Sequence, residues 1–383
     1  MKSLFPLVSV FLLMVLFLYS GCKKGTVSEA PGPSLKVDSV YSWVCNMQME
    51  NGLLKTSEGG RLVSLYDNSL AALVFTAYGD FSRAEKIFDF FEGKMESEFL
   101  VHPGGFGQMR TSNGIPVENR PKRWLGDNAW LLIALNNYHH LAQNSRYKNL
   151  ETALSNWIVS LQDTDGGLWG GFDEKGKQIS KITEGNIDAF NAITGYTDFH
   201  RKLLNHLKQV RWDTKDKLLI AWTDNPDYRY ALDLHSWGYC TFKGFPESVL
   251  RKASRFLTVQ RATLTNQFIH GYCFDEDCDV VWIEGTGQMA VAFIKAKKEK
   301  DAQAYLLSIE KNLSASKLFS DTYGLPYTSN FGSSYGSDLL WEGADTNLAM
   351  SSTVWYLLAR LRFDPLELGY DKNIPDEDKF WTK

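Results

Sequence analysis

Six stretches of this chain share one design, and that repetition constrains the fold more than any other feature. They are YDNSLAALVFTAYG (66–79), GDNAWLLIALNNYHHLA (126–142), TEGNIDAFNAITGY (183–196), LDLHSWGYC (232–240), IEGTGQMAVAFIKA (283–296) and NLAMSSTVWYLLARL (347–361). Each is apolar at helical spacing and rich in small residues, and the first five open on polar or acidic residues. With Asp67, Asp127, Glu184, His235, Glu284 and Ser352 as markers, the motif recurs every ~50–70 residues.

Amphipathic segments lie between the repeats, at 37–49, 82–94, 146–162, 199–210, 247–260 and 299–312. In SRAEKIFDFFEGK, for example, Ile87, Phe88, Phe90 and Phe91 alternate with Glu85, Lys86 and Asp89. A helix that is apolar nearly all round is buried, whereas an amphipathic one covers a core. Six of each, alternating, predict an all-α fold of about twelve helices in two concentric rings, an (α/α)6 toroid over residues 37–383. A chain of 383 residues with 44% apolar content can fill such a core.

The connections are unequal. Links from a buried to an outer helix are short, as in GDF (79–81), KGFP (243–246) and KKEK (297–300). Links in the other direction are long: 50–66, 95–126, 163–183, 211–231, 261–283 and 313–346. The buried helices therefore run parallel, with their N-termini at one mouth beneath the long loops. Long ordered loops are where function concentrates.

Acids converge on that mouth. Asp67 and Asp127 could serve simply as helix caps. Glu184 and Asp188, however, stand one turn apart on one face, where like charges repel. Asp188 lies too deep to cap, and Glu284 opens WIEGTGQMAVAF in the same way as Glu184. Indoles crowd the same places: Trp124 and Trp130 around Asp127, Trp169 before Glu184, Trp237 after His235, Trp282 before Glu284, and Trp341 in the last long loop. Flat aromatic faces beside carboxylates suit a sugar cleft. Glycosidic cleavage needs two carboxyls, one protonated and one ionised. The expected chemistry falls to Glu184, Asp188, Asp127 and Glu284. Trp124, Trp130, Trp169, Trp282 and Trp341 are the expected platforms, with Asn186, His235 and Asp67 as further substrate contacts.

WLGDNAW (124–130) and LQDTDGGLWGG (161–171) resemble helix openings and loop turns of the six-hairpin (α/α)6 glycosidase superfamily, and the resemblance runs over roughly residues 37–362. It implies a carbohydrate-active protein, with glycoside hydrolysis as the first expectation. The superfamily also holds unsaturated glucuronyl hydrolases, polysaccharide lyases and sugar epimerases. The adjacent Asp-Asp pair of its mannanase-like members is absent here. A lyase would draw on His235, Tyr239, Arg123 and Arg110. A non-catalytic glycan-binding lipoprotein would use the same aromatic cleft.

Other classes are excluded. The formal net charge of −4, without a Lys/Arg-rich run, argues against nucleic acid. HExxH and GxxxxGK[ST] are both missing. No cofactor is expected. The oxygen-rich loops DTDGG (163–167) and DEDCD (275–279) give only a faint calcium signal, and the second lacks the glycine and terminal glutamate of an EF-hand. Cys273 and Cys278 bracket the second loop and could pair, since the chain reads as exported.

Export is read from the start of the chain. Lys2, the apolar run Leu4 to Tyr19 and Ser20-Gly21-Cys22 form a signal peptide over residues 1–21. LYSGC resembles a bacterial lipobox, which would lipidate Cys22 and anchor the protein to a cell-envelope membrane, with the outer membrane expected. Residues 22–36 have the Pro/Gly/Ser content of a tether. A monomer is expected.

Overall fold

The computed structural model describes residues 33–117, 121–222 and 228–382, with side chains described from residue 37. The expected signal peptide over residues 1–21 and the expected lipid site Cys22 lie outside the described residues. Among the described residues, no helix is long and apolar enough to cross a membrane.

Twelve α-helices alternate between an outer and an inner ring. The outer helices are α1 (Pro33–Met47), α3 (Phe81–Glu92), α5 (Lys148–Ser160), α7 (Asp198–His206), α9 (Ser248–Lys252) and α11 (Glu299–Ile309). The inner helices are α2 (Leu65–Ala77), α4 (Leu125–Ala142), α6 (Thr183–Ala192), α8 (Asp233–Thr241), α10 (Ile283–Lys295) and α12 (Met350–Leu361). Each inner helix packs on the next, and α12 returns to α2, so the ring closes. This is the (α/α)6 toroid that the repeat demands. The buried core includes residues from all six inner helices, among them Leu70, Leu131, Ile187, Leu234, Met289 and Leu357. A short C-terminal segment seals the narrow end: Asn137 and Asn191 donate to the carbonyls of Pro365 and Leu366.

One outer element departs from the sequence expectation. Helix α9 stops at Lys252, and after a 3-10 turn Leu257–Arg261 pairs antiparallel with Phe268–Tyr272. The Leu-Thr-Val alternation there favours a strand on a half-buried surface over another helical turn.

A repeated latch sets where each inner helix starts. The Asn68 side chain accepts from Leu54 N at 2.8 Å, donates to Leu54 O, and also donates to Ser64 O four residues back. Asn128 does the same with Phe106 and Trp124, and Asn186 with Leu168 and Ile182. Each amide thereby pairs the buried backbone of a long loop that no helix or sheet would satisfy. Thr286 and Thr353 occupy the equivalent place, accepting from Tyr272 N and Leu325 N, both at 3.0 Å. In α8 the residue is His235, whose Nδ1–H donates to Ala231 O at 3.0 Å.

Candidate active-site cleft

The latch gives a register for comparing the six inner helices. Two residues before it stand Tyr66, Gly126, Glu184, Asp233, Glu284 and Ser351. All six line a single cleft of about 1360 Å3 at the end of the toroid where the inner helices begin. One turn deeper the ring reads Leu70, Trp130, Asp188, Trp237, Gln288 and Trp355, of which Trp130, Asp188 and Trp237 reach the cavity. Trp130 packs its ring against Tyr66, Trp237 and Trp355 at centroid separations of 5.6, 5.4 and 5.7 Å. The floor is thus a rigid aromatic tray with one carboxyl, Asp188, set into it. Gly126 opens access to that carboxyl, since a Cβ there would come within 3.1 Å of Asp188 Oδ2.

Three tyrosines hold three of the carboxyls from outside their own helices. Tyr66 donates to Glu284 Oε1 at 2.7 Å, Tyr228 to Glu184 Oε1 at 2.5 Å, and Tyr335 to Asp233 Oδ2 at 2.7 Å. In two of these carboxyls the second oxygen, Glu184 Oε2 or Asp233 Oδ1, has no protein partner; the same is true of Asp127 Oδ2 and Asp188 Oδ1.

Burial dominates the protonation of the site, overriding the helix N-termini that would favour ionised acids. It lifts Asp67 to about 8 and Asp127 to about 7. Asp188 is pushed well above the usual carboxylate range by burial and then by the charges of Asp233, Glu184 and Asp127. Asp233 is raised likewise, by burial and Glu184. Glu184 is also raised by burial, against the Tyr228 hydrogen bond and the Arg211 charge. Glu284 is lifted only to about 6, because Ser351, Tyr66, Gln288 and Trp282 stabilise its charge. The cleft therefore holds carboxyls of different disposition: Glu284 stays closer to the ordinary carboxylate range, while Asp188 is pushed well above it.

Most of the expected site is assembled here: Asp67, Asp127, Glu184, Asp188, Glu284, Trp124, Trp130, Trp282 and Trp341 all line the cleft. Neither Asp67 nor Asp127 caps its helix, for Ser64 caps α2 and Trp124 holds the cap position of α4. Three expectations are corrected. Asn186 is a latch whose amide is spent on backbone. His235 is the latch of α8; its buried ring stands edge-on to Phe256 and does not line the cleft. Trp169 lies outside the cleft beneath the Lys181 ammonium, 4.9 Å from its ring, while Gly170 takes the lining position.

The residues missed are Asp233, Tyr66, Tyr228, Tyr327, Tyr335 and Trp222, while Trp237, noted at the mouth but not assigned a role, also lines the cleft. Asp233 was findable, because aligning His235 with Asn186 puts it opposite Glu184. The residues offered for a lyase are also elsewhere. Arg110 is fully buried against Glu98 at 2.5 and 2.7 Å, Arg123 donates to Gly105 O, and neither arginine nor Tyr239 lines the cleft.

The oxygen-rich loops have other employment. Asp163 and Asp165 grip the Lys181 ammonium at 2.7 and 2.6 Å. The loop 275–279 clamps the strap that carries Tyr335: Asp275 accepts from Gly336 N, and Asp277 and Asp279 accept from Ser333. Cys273, Asp275 and Asp277 bring one donor atom each within 4.8 Å of one another. A thiol in that set suits calcium poorly, since calcium takes oxygen ligands. Cys273 and Cys278 are unpaired, and the Cys273 thiol instead lies 3.3 Å from Asp277.

No protein-family model matches the chain. A search of curated protein sequences finds no match either. Solved structures do match in fold. A wild-type glycosidase superposes with a TM-score of 0.59 at 14% identity, covering 88% of this chain and 96% of its own. A sugar epimerase from a ruminal bacterium gives 0.57 at 10%, covering 85% and 97%. A cellobiose 2-epimerase from Bacillus thermoamylovorans gives 0.56 at 11%, covering 84% and 95%. These neighbours share the (α/α)6 toroid with this chain.

Proposed function

We propose that this protein is a glycoside hydrolase that cleaves a poly- or oligosaccharide with a pair of cleft carboxyls. One observation carries the reading: a single sugar-sized tray presents Asp188, with its carboxyl pushed up by burial and neighbouring charge, together with Glu284, whose charge four donors stabilise. Asp188 is the general acid, protonating the departing glycosidic oxygen. Glu284 is the partner carboxylate that takes the proton of the attacking water or attacks the sugar itself. Burial, and after it the charges of Asp233, Glu184 and Asp127, raises Asp188, and the free oxygens of those three neighbours receive sugar hydroxyls. Trp124, Trp282 and Trp341 offer stacking faces toward the mouth. The cavity exceeds the ~300–1,000 Å3 of common small-ligand pockets, which favours a chain of several sugar units. The glycosidase and epimerase neighbours support carbohydrate as the ligand class.

Epimerisation and β-elimination fit less well. Both need a base to take a carbon-bound proton, and among the described residues no histidine lines the cleft to serve as one. Burial and adjacent carboxylates hold Tyr66, Tyr228, Tyr327 and Tyr335 well above the ordinary phenol range, the wrong direction for a tyrosinate base.

The test is a panel of neutral and uronate polysaccharides, read for new reducing ends and for the ultraviolet absorbance of an unsaturated product. Reducing ends alone, lost in Asp188→Asn and Glu284→Gln, support hydrolysis. The absorbance would replace it with a lyase, and glycan binding without any product would leave a binding protein. On sequence grounds we also propose a lipid anchor at Cys22. Incorporation of a labelled fatty acid, abolished by Cys22→Ser, tests it.

A further inference from the structure

The cleft holds more carboxyls than two-carboxyl catalysis requires. Asp67, Asp127, Glu184, Asp188, Asp233 and Glu284 all line it, Asp338 and Glu342 stand on its wall, and among the described residues the only lysine or arginine that lines it is Arg61, exposed at the rim. Four buried carboxyl oxygens on three consecutive inner helices, at Asp127, Glu184, Asp188 and Asp233, have no protein donor. Unmet buried acceptors are costly, so such a wall is built to be completed by a ligand that brings donors.

A bare metal ion does not meet that need. Among the described residues, no three of these cleft carboxyls bring oxygens within 4.8 Å of one another, as one ion would require. The acceptors are spread over the wall of a sugar-sized space. A neutral hydroxyl supplies one donor and no charge, whereas an ammonium supplies three donors, a positive charge and no acceptor. Its positive charge beside these buried carboxyls opposes the effect of burial and favours their ionised, acceptor-only form. An anionic sugar would push the same carboxyls further up and bring no charge to match them.

We infer that the deep wall formed by Asp127, Glu184, Asp188 and Asp233 selects a saccharide bearing a free, protonated amine, an amino sugar unit without its acyl group. The inference rests on the hydrolase reading for the identity of the cleft and adds the substrate class. The acyl group matters because acylation removes the charge and two of the three donors. N-acylated units are then poorer ligands than free-amine units of the same ring.

Calorimetry on the full chain tests this without needing turnover. The titrants are matched oligomers of glucosamine, N-acetylglucosamine and glucose, with glucuronate as the anionic control. The expected result is at least tenfold tighter binding of the glucosamine oligomer than of either neutral one, no binding of glucuronate, and loss of the amine preference in Asp188→Asn and Asp233→Asn. Equal binding of amine and neutral ligands by the wild-type protein overturns the inference, and the hydrolase reading survives if a neutral glucan still yields reducing ends. Amine preference without cleavage of either polymer class keeps the inference and removes the hydrolase.

Discussion

Tyr66 Oη lies 2.7 Å from Glu284 Oε1, although 218 residues separate the two in sequence. The contact spans the small Ser351 of α12 and ties α2 to α10 at the mouth. Tyr66 is itself held by the Trp355 indole N–H at 3.2 Å. The hydrogen bond stabilises the ionised form of Glu284, so its loss raises the pKa of that carboxyl above about 6. Tyr66→Phe should therefore move the acidic limb of the pH–rate profile upward by about one unit, the equivalent of a charge-assisted bond of about 1.4 kcal/mol. A profile measured from pH 4 to 9 shows the shift directly. An unmoved limb would mean that Glu284 is not the group whose ionisation limits the rate.

Asn186 offers a different kind of test, because its amide serves backbone and not substrate. Asn186→Ala strips the partners from Leu168 N and Leu168 O inside the core and leaves Ile182 O with its backbone donor alone. The expected cost is about 2–4 kcal/mol of stability, read as a lower urea midpoint. Activity per folded molecule should hold within about threefold. A normal midpoint with a large rise in KM would return Asn186 to the substrate.

The latch also explains what was legible in the sequence and what was not. The twelve helices, their alternation and the shared mouth follow from periodicity and loop length alone. Glu184, Asp188, Asp127 and Glu284 were visible because acids in an apolar helix need a reason. His235 misled because a polar ring in an apolar segment looks like a site residue, when it fills the place of an asparagine or threonine. That misalignment by two residues hid Asp233. Tyr228 and Tyr335 sit in long loops without periodicity, and only the folded chain brings them to Glu184 and Asp233. The same limit applied to Trp169: a turn places Gly170 toward the cavity and the indole outside.

Gly126 faces Asp188 across the first turn of α4, where an added methyl would approach Oδ2 at 3.1 Å. Alanine is the better helix former by about 1 kcal/mol. Gly126→Ala should thus leave the melting temperature unchanged or slightly raised while lowering kcat/KM by about tenfold, because the methyl occupies the approach to the acid. Both quantities come from one preparation. Lost stability together with lost activity would show that the position matters for packing instead.

Asp188→Asn separates function from stability with the opposite sign. An aspartate in an unfolded chain ionises near pH ~4. Folded Asp188 keeps its proton well above that, through burial and the charges of Asp233, Glu184 and Asp127. Protonated Asp188 therefore favours the fold fully below pH ~4, and that contribution drains away as pH rises toward the folded value. Asparagine has the same shape and never ionises. The variant should melt close to the parent at pH 4 and above it at pH 8, the gap widening steadily between, while activity falls about a hundredfold or more at every pH. Melting curves at four pH values decide it: a variant less stable than the parent at pH 8 would mean that the Asp188 carboxylate is welcomed by its surroundings, which is incompatible with its assignment as the acid.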